Sequence, residues 1–332
     1  MRVLVTGGAG FIGSHFVKRL LRGGDEAVVL DKLTYSGNRA NLPGDVEFHE
    51  GDIAASEDVA RAARGCDAIV NFAAETHVDR SILTADDFGR TEFRGTQVLL
   101  EHIRETGARL VQVSTDEVYG DLEGGGSSQE SDLLNPSSPY SAAKAAGELL
   151  IPAYVRTFGV NASITRGSNT YGPHQYPEKF IPLFVTNALD GEPLPLYGDG
   201  RQVRDWLFVE DHCAGIELVL LQGAAGEIYN IGGGDEHENI EVAERLLELT
   251  GADRSLLRSV PDRPGHDRRY SVDSTKLHDL GWSPQTPFEI GLRETVSWYR
   301  ENRSWWEPIK SGDYREYYER QYAERLENAT PA

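Results

Sequence analysis

The stretch Val3-Leu4-Val5-Thr6-Gly7-Gly8-Ala9-Gly10-Phe11-Ile12-Gly13 decides the fold. An apolar, β-branched run leads into a glycine-rich turn, and the turn leads into a helix expected from Ile12 to about Arg22. In that arrangement the glycines let the backbone approach a pyrophosphate, whose charge the helix N-terminus stabilises. The spacing, Gly7-x-x-Gly10-x-x-Gly13, is one residue longer in its first gap than the common dinucleotide fingerprint, and a bare turn before a helix would use the same residue types. The second strand favours the binding reading. It runs from Ala27 to Leu30 and ends at Asp31, about 20 residues on, where a carboxylate accepts hydrogen bonds from the adenosine ribose hydroxyls. That carboxylate also repels a 2'-phosphate, which favours NAD over NADP, with Lys32 beside it acting in the opposite sense.

Outward from this unit, strand-like runs at Val46 to His49, Ala68 to Phe72 and Arg109 to Val113 alternate with helical ones at Ser56 to Ala63 and Asp86 to Thr106. The alternation predicts an α/β fold, a Rossmann-type doubly wound parallel sheet covered on both faces. Ligands bind such sheets at the carboxyl ends of the strands. Hence Asp52-Ile53, Phe72-Ala73-Ala74-Glu75-Thr76 and Thr115-Asp116-Glu117 are expected to line one crevice with the glycine turn. The stretch Asp121 to Pro139, with Gly124-Gly125-Gly126 and several serines, reads as a loop able to close over a site. Past Thr165 the alternation loosens and prolines interrupt it, at Pro193-Leu194-Pro195 and from Pro261 to Gly265. This predicts a smaller α/β substrate-binding domain of 168–204 and 232–332 beside a dinucleotide-binding domain of 1–167. Segment 205–231 is expected to return to the first, through strands at Trp206 to Phe208 and Glu227 to Ile231. The charged tail from Asp313 carries four tyrosines up to Tyr322 and reads as a solvated terminal helix, with partner binding the alternative.

Composition narrows the function. A chain of 332 residues can bury one large core and a smaller one. Its formal net charge of -20 argues against nucleic acid or an anionic membrane as partner, since both need a basic patch. An anionic nucleotide substrate would require a local cluster of cations. Cys66 and Cys213 are the two cysteines and lack ligand spacing, so no metal site is expected and a reducing compartment fits. No apolar stretch approaches ~20 residues, and the protein is expected to be soluble and cytoplasmic.

Two separated motifs carry the chemistry. Ser114-Thr115-Asp116-Glu117 follows the apolar run 109–113, and Tyr140-x-x-x-Lys144 opens an alanine-rich helix. Residues four apart share a helix face, so the Lys144 ammonium is expected to lower the pKa of the Tyr140 phenol and make it a base near neutral pH. Asp116 and Glu117 add a second acid–base pair. Hydride transfer alone needs no second pair, so the doublet points to a reaction with more proton transfers. Each feature has a blander reading. An Asp-Glu pair is commonly solvated surface, a Tyr-Lys pair an exposed helical contact, His77 a satisfied structural histidine, and Asp79 with Arg80 an ion pair.

Together with these motifs, Asp31-Lys32-Leu33-Thr34-Tyr35-Ser36-Gly37-Asn38 and Ala73-Ala74-Glu75-Thr76-His77-Val78-Asp79-Arg80-Ser81 resemble the dTDP-glucose 4,6-dehydratases of the extended short-chain dehydrogenase/reductase family. The likeness continues through Asn169, Tyr171-Gly172-Pro173, Pro177 to Pro182, Arg204-Asp205-Trp206, Asn230-Ile231-Gly232 and Arg263 to Asp267, and reaches about Trp306. Thr115-Asp116-Glu117 is its discriminating element, because related sugar-nucleotide epimerases usually lack the acidic doublet.

The resemblance implies a cofactor site of Gly7, Gly10, Phe11, Ile12 and Gly13, then Asp31, Lys32, Leu33, Thr34 and Gly37. It extends through Asp52 and Ile53, Phe72 to Thr76, Thr91, Ser114, Tyr140, Lys144 and Thr170. It implies a nucleotide-sugar site of His77, Asp79, Thr115, Asn169 and Phe180. Lys179, Arg204 and Arg263 are assigned to the diphosphate. Asn239, His266 and Tyr270 fall at the nucleotide end, and Pro195, Leu196 and Tyr197 flank the base. The reaction implied is conversion of dTDP-glucose to its 4-keto-6-deoxy product, in deoxysugar or natural-product biosynthesis. Loss of water across C5 and C6 needs an acidic C5 proton, and a ketone at C4 supplies that acidity. In the implied roles Tyr140 takes the O4 proton as hydride passes to NAD, Lys144 holds phenolate and ribose, and Thr115 hydrogen-bonds near O4. Glu117 removes and later returns the C5 proton, while protonated Asp116 donates to the departing C6 hydroxyl. A homodimer pairing through the helices at Asp86 to Thr106 and Tyr140 to Thr157 is implied as well.

The chain departs from the family pattern at Thr170, where a second Asn is common, at Thr76 for Ser, and at Glu92-Phe93-Arg94 for an Asn-containing turn after Thr91. Two rival readings stay open. A nucleotide-sugar 4-epimerase would use Tyr140, Lys144 and NAD but not the doublet. A non-catalytic NAD-binding sensor would need none of the proton-transfer groups.

Overall fold

The computed structural model describes every residue except Thr84, Ala85 and Glu123, and every side chain except also those of Leu83 and Asp313. Glu123, in the loop expected over 121–139, therefore lies outside the described residues. The strands in chain order are β1 (Arg2–Thr6), β2 (Glu26–Asp31), β3 (Glu47–Glu50), β4 (Ala68–Asn71), β5 (Arg109–Thr115), β6 (Ala162–Gly167), β7 (Asn169–Tyr171), β8 (Leu194–Tyr197), β9 (Val203–Phe208), β10 (Ile228–Ile231), β11 (Glu236–Glu238), β12 (Leu257–Val260) and β13 (Thr330–Pro331).

Seven of them form one sheet in the order β10-β6-β5-β4-β1-β2-β3, with every pair parallel. Val3, Leu4, Val5, Ile69 and Val70 are fully buried, which explains why β1 and β4 read as unbroken apolar runs: both faces are covered. Helices Phe11–Arg22 and Val209–Gln222 cover one face, burying Phe16, Val17, Cys213 and Ile216. Helices Ser56–Ala62, Thr96–Thr106 and Pro139–Phe158 cover the other, with Val59, Leu99, Ile103 and Ile151. The strand order reverses between β1 and β4, so the chain diverges there and leaves a crevice at the carboxyl ends.

The first turn needs its glycines for contact. Gly7 has φ +67°, and a Cβ on Gly13 would lie 2.4 Å from the Gly7 carbonyl oxygen, so a side chain there would lift the helix off the strand. The long helix expected from Asp86 to Thr106 is instead Asp86–Gly89, a π-helical turn Arg90–Gly95, and Thr96–Thr106.

Two smaller sheets, β11-β9-β7 and β13-β12-β8, build the second lobe. Trp206 to Phe208 does not join the main sheet. It lies in β9, paired with β7 and β11, because Trp206 and Phe208 pack with Tyr171 and Phe288 in the second core. Of the two expected returning strands only β10 adds to the main sheet, beside β6.

The terminal helix Asp313–Glu327 is not solvated. Tyr314, Tyr317 and Tyr322 are 3–4% exposed and belong to the second core. The charged residues between them set the low mean hydropathy that suggested a solvated helix, while one tyrosine face is buried. No helix among the described residues is long and apolar enough to cross a membrane.

Candidate active site

The residues at the carboxyl ends of β1, β2, β4 and β5 surround one cleft. Gly7, Gly10, Phe11, Ile12 and Gly13 line it from β1, Asp31, Lys32, Thr34 and Gly37 from β2, and Asp52, Ile53 and Thr91 from the flanking turns. Phe72 to Thr76, Ser114 to Glu117, Tyr140, Lys144 and Thr170 complete its wall. Leu33 does not line it. At φ 51° its side chain packs on the first core, and its amide donates to Asp31 Oδ1 at 2.8 Å.

The cleft has the features a dinucleotide needs. Gly10 caps the helix Phe11–Arg22 with no side-chain hydrogen bond, leaving first-turn N–H groups for an anion. Asp31 is held by the Ala9 amide at 2.9 Å, and Ser114 Oγ and Asn169 Oδ1 are buried without a partner among the described residues. Lys32, the residue that favoured a 2'-phosphate, pairs with Asp52 at 3.4 Å.

A second cleft opens beyond the first, lined by His77, Asp79, Phe180, Pro195, Leu196, Tyr197, Arg204, Asn239, Arg263, His266 and Tyr270. Glu117, Asn169 and Lys179 line both clefts. Glu117 therefore stands where the two meet, with Asp116 beside it in the first. Thr115 ends β5 and caps the 3-10 turn Asp116–Tyr119, its Oγ1 accepting from the Glu117 amide at 3.3 Å and donating to Asp116 Oδ1 at 3.2 Å.

Burial pushes the Asp116 carboxyl well above its ordinary range, with the charges of Glu117 and Asp205 adding to the rise. Burial raises Glu117 too, but Arg263, Lys179 and Arg204 pull it back toward ionisation. The two carboxyls thus have different surroundings, the condition for separate acid and base roles.

Tyr140 and Lys144 lie in the helix Pro139–Phe158, which Ser138 caps in a reciprocal pair with Ser141. The expected lowering of the phenol is not found. Burial holds Tyr140 well above its usual value, Glu117, Glu92 and Asp116 raise it further, and the Thr115 hydroxyl opposes them. The Lys144 ammonium is engaged elsewhere, donating to the Val113 carbonyl at 2.9 Å and lying 3.3 Å from Glu92 Oε2.

The cations meet partners that the sequence did not pair. Asp79 faces Arg263 at 3.5 Å and accepts from the Tyr197 hydroxyl at 2.9 Å, whereas Arg80 bonds Glu178 at 2.8 Å. The reading of Asp79 and Arg80 as one pair is therefore corrected: neighbours in sequence, they face different elements. Lys179 donates to the Thr76 carbonyl, and Arg204 is held over the Tyr270 ring at 4.4 Å by the Val203 and Asp267 carbonyls.

Sequence reasoning missed His212, Ser168 and Gln175 in the first cleft and Glu178, Trp206 and Tyr322 in the second. His212 Nδ1 lies 2.7 Å from Thr170 Oγ1, which itself donates to the Ser168 carbonyl. That makes Nδ1 the donor and leaves Nε2 a buried acceptor without a partner among the described residues. Nothing in the spacing around His212 announces it. Tyr322 comes from the terminal helix, where Gln321 also donates to Asp79 at 3.0 Å. The described residues of the glycine-rich loop line neither cleft. The Leu122 and Ser128 amides donate to the Arg269 and Ser271 carbonyls, and the Asn135 amide donates to the Val118 carbonyl.

A parallel sheet with this switch point, a glycine turn and a Tyr-x-x-x-Lys helix defines the short-chain dehydrogenase/reductase class. A family model described as GDP-mannose 4,6 dehydratase matches residues 4–295. A dTDP-glucose 4,6-dehydratase of Streptomyces niveus is 55% identical over 326 residues, covering 94% of this chain and 97% of the relative. The solved structure of DesIV, a dTDP-glucose 4,6-dehydratase from Streptomyces venezuelae with NAD and TYD bound, superposes with TM-score 0.91 at 56% identity, covering 93% of this chain and all of that one. A UDP-glucose 4-epimerase of Thermus thermophilus in complex with NAD has TM-score 0.86 at 36% identity, covering 91% of this chain and 100% of its own. The chain belongs to the nucleotide-sugar 4,6-dehydratase family, and its relatives at about half identity include several dTDP-glucose 4,6-dehydratases.

Proposed function

We propose that this protein is an NAD-dependent dTDP-glucose 4,6-dehydratase, a hydro-lyase that forms the 4-keto-6-deoxy sugar. The observation that carries this reading is the Asp116–Glu117 doublet, with Glu117 at the junction of the two clefts, next to the Tyr140 helix. The fold alone does not separate it from the epimerases, which share it. Bound NAD would supply the acceptor for the C4 hydride and its return to C6. The uncapped helix start, Asp31 and Ser114 are the groups we assign to holding it.

In this reading Tyr140 receives the O4 proton as a phenolate, a form the positive charge of bound NAD would favour against burial. Thr115 orients the O4 hydroxyl, and Lys144 is held on the same helix by Glu92 and the Val113 carbonyl. Glu117 removes the C5 proton. Three cations raise its ionised fraction against the burial that opposes it. Asp116, whose protonated form burial favours, donates its proton to the departing C6 hydroxyl, and Glu117 then returns a proton to C5. Lys179, Arg204 and Arg263 face the diphosphate, and Pro195 to Tyr197 flank the base. Residues 1–167, with the helix Val209–Gln222 and β10, serve the cofactor, and 168–208 with 232–332 the nucleotide sugar.

We also read the protein as a homodimer acting in a reducing, cytoplasmic compartment. The exposed Phe93, Leu149 and Phe158 on the pairing helices and the two free cysteines favour this. Sedimentation analysis giving a monomer would remove the dimer.

The function is tested by incubating the purified protein with dTDP-glucose, without added NAD, and weighing the product. Loss of one water with formation of a ketone is expected. A galactose isomer of unchanged mass would establish the epimerase instead.

A further inference from the structure

Glu92 stands where the family pattern commonly has an asparagine-containing turn, and the structure gives it a role that sequence alone does not. It lies in the π-helical turn Arg90–Gly95, the single such segment among the described helices. A π turn carries one residue more than an α turn and bulges toward whatever packs on it, a feature that recurs at functional sites. Here the bulge meets the Tyr140 helix. A Cβ on Gly147 would lie 2.6 Å from the Glu92 carbonyl oxygen, so only glycine admits that approach.

The Glu92 side chain is 1% exposed. Neither carboxylate oxygen has a hydrogen-bond partner among the described residues, and Oε2 lies 3.3 Å from Lys144 Nζ. Burial raises the Glu92 carboxyl and Lys144 opposes that rise, so its negative charge depends on this counter-charge. Lys144 is thus fixed from two sides, by Glu92 and by the Val113 carbonyl.

We propose that Glu92 is a positioning residue for the Tyr140–Lys144 pair, its carboxylate pinning the ammonium and neutralising the charge that Lys144 would otherwise offer the phenol. This rests on the assignment of Tyr140 as the base for O4. The groups facing Glu92 are Lys144, Glu75, Glu148 and Tyr140. Glu148 is bonded to Arg166 at 2.7 Å, and Glu75 stands on the loop after β4. Among them Lys144 alone carries positive charge, so removing the Glu92 charge acts chiefly on the Lys144–Tyr140 balance.

The test is Glu92→Gln, with Glu92→Asn as a second, shorter uncharged variant. Two readouts are taken: the pH profile of kcat/KM, and an ultraviolet difference titration of phenolate against Tyr140→Phe in each background. Expected in both variants is a downward shift of the Tyr140 ionisation by roughly one pH unit, the size associated with loss of one neighbouring charge. An unmoved ionisation in variants that fold would overturn the proposal. If the parent protein dehydrates no nucleotide sugar, the function above fails, while the phenolate titration still decides whether Glu92 governs Tyr140.

Discussion

The turn at Gly7 to Gly13 and the terminal helix Asp313–Glu327 both border the ligand clefts, yet they reach that position by opposite routes. The turn is local. Its requirements, a positive φ at Gly7 and the 2.4 Å approach at Gly13, involve residues within one strand–turn–helix unit, so the spacing of the glycines declares it. The terminal helix is fixed by residues far away in the chain. Tyr314 donates to the Pro177 carbonyl, the Tyr317 hydroxyl lies 3.2 Å from His77 Nδ1, and Gln321 reaches Asp79. None of those partners is visible from the charged sequence around the tyrosines. Burial that depends on a partner surface cannot be read from the amphipathicity of the buried segment alone.

The contrast is open to direct attack, and the largest effect belongs to the cofactor side. Replacing Tyr140 by Phe should reduce kcat roughly 100-fold to 10,000-fold with little change in stability; a steady-state assay beside urea unfolding separates the two. A loss under tenfold would mean that Tyr140 is not the base.

The next effect concerns the helix read as solvated. Tyr317→Ala removes a ring 3% exposed, stacked edge-on to His77 with centroids 5.8 Å apart and lying under the Arg80 guanidinium. It should cost about 3 kcal/mol, the lower end for a buried aromatic, and raise KM for the nucleotide sugar while NAD affinity stays constant. Urea midpoints and fluorescence titration with NAD check both. No change in stability would restore the solvated reading and erase the contrast.

A smaller, pH-dependent effect sharpens it from the first cleft. Burial holds His212 at about 4 against an ordinary 6.5. Because the folded value lies below the unfolded one, its stabilising contribution is complete above pH 6.5 and is lost as the pH falls toward 4. The loss is up to about 3 kcal/mol, and His212→Gln should flatten that part of the stability profile. A variant profile as steep as the parent's would show that other groups cause the slope.

Smallest is the outer face of the terminal helix. The Arg315–Glu319 pair is 3.0 Å long but 72% and 62% exposed, so Arg315→Ala should change stability by less than about 1 kcal/mol. A larger loss would mean that the helix has a second buried face.

Elsewhere the same distinction governs what could be read. The sheet, Asp31, the doublet and the Tyr140 helix are legible because each is a short pattern with one physical purpose. The loop 121–139 looked free because it is rich in glycine and serine, but its amides pair with the 269–271 backbone, a partner more than a hundred residues on. Trp206 to Phe208 looked like another central strand, since apolarity alone does not say which of two cores an aromatic will enter. The Lys144 effect on Tyr140 was inferred from helical spacing, and the spacing is correct. What it could not contain was Glu92, brought to Lys144 by a π turn about fifty residues earlier in the chain.

The most direct test of the doublet's role is to run the reaction with dTDP-glucose in deuterated water and measure the product by mass and proton resonance. If Glu117 takes and returns the C5 proton, the product will have lost one water and will carry solvent deuterium at C5. Product that keeps its full hexose mass, or that loses water without deuterium at C5, would contradict the assignment.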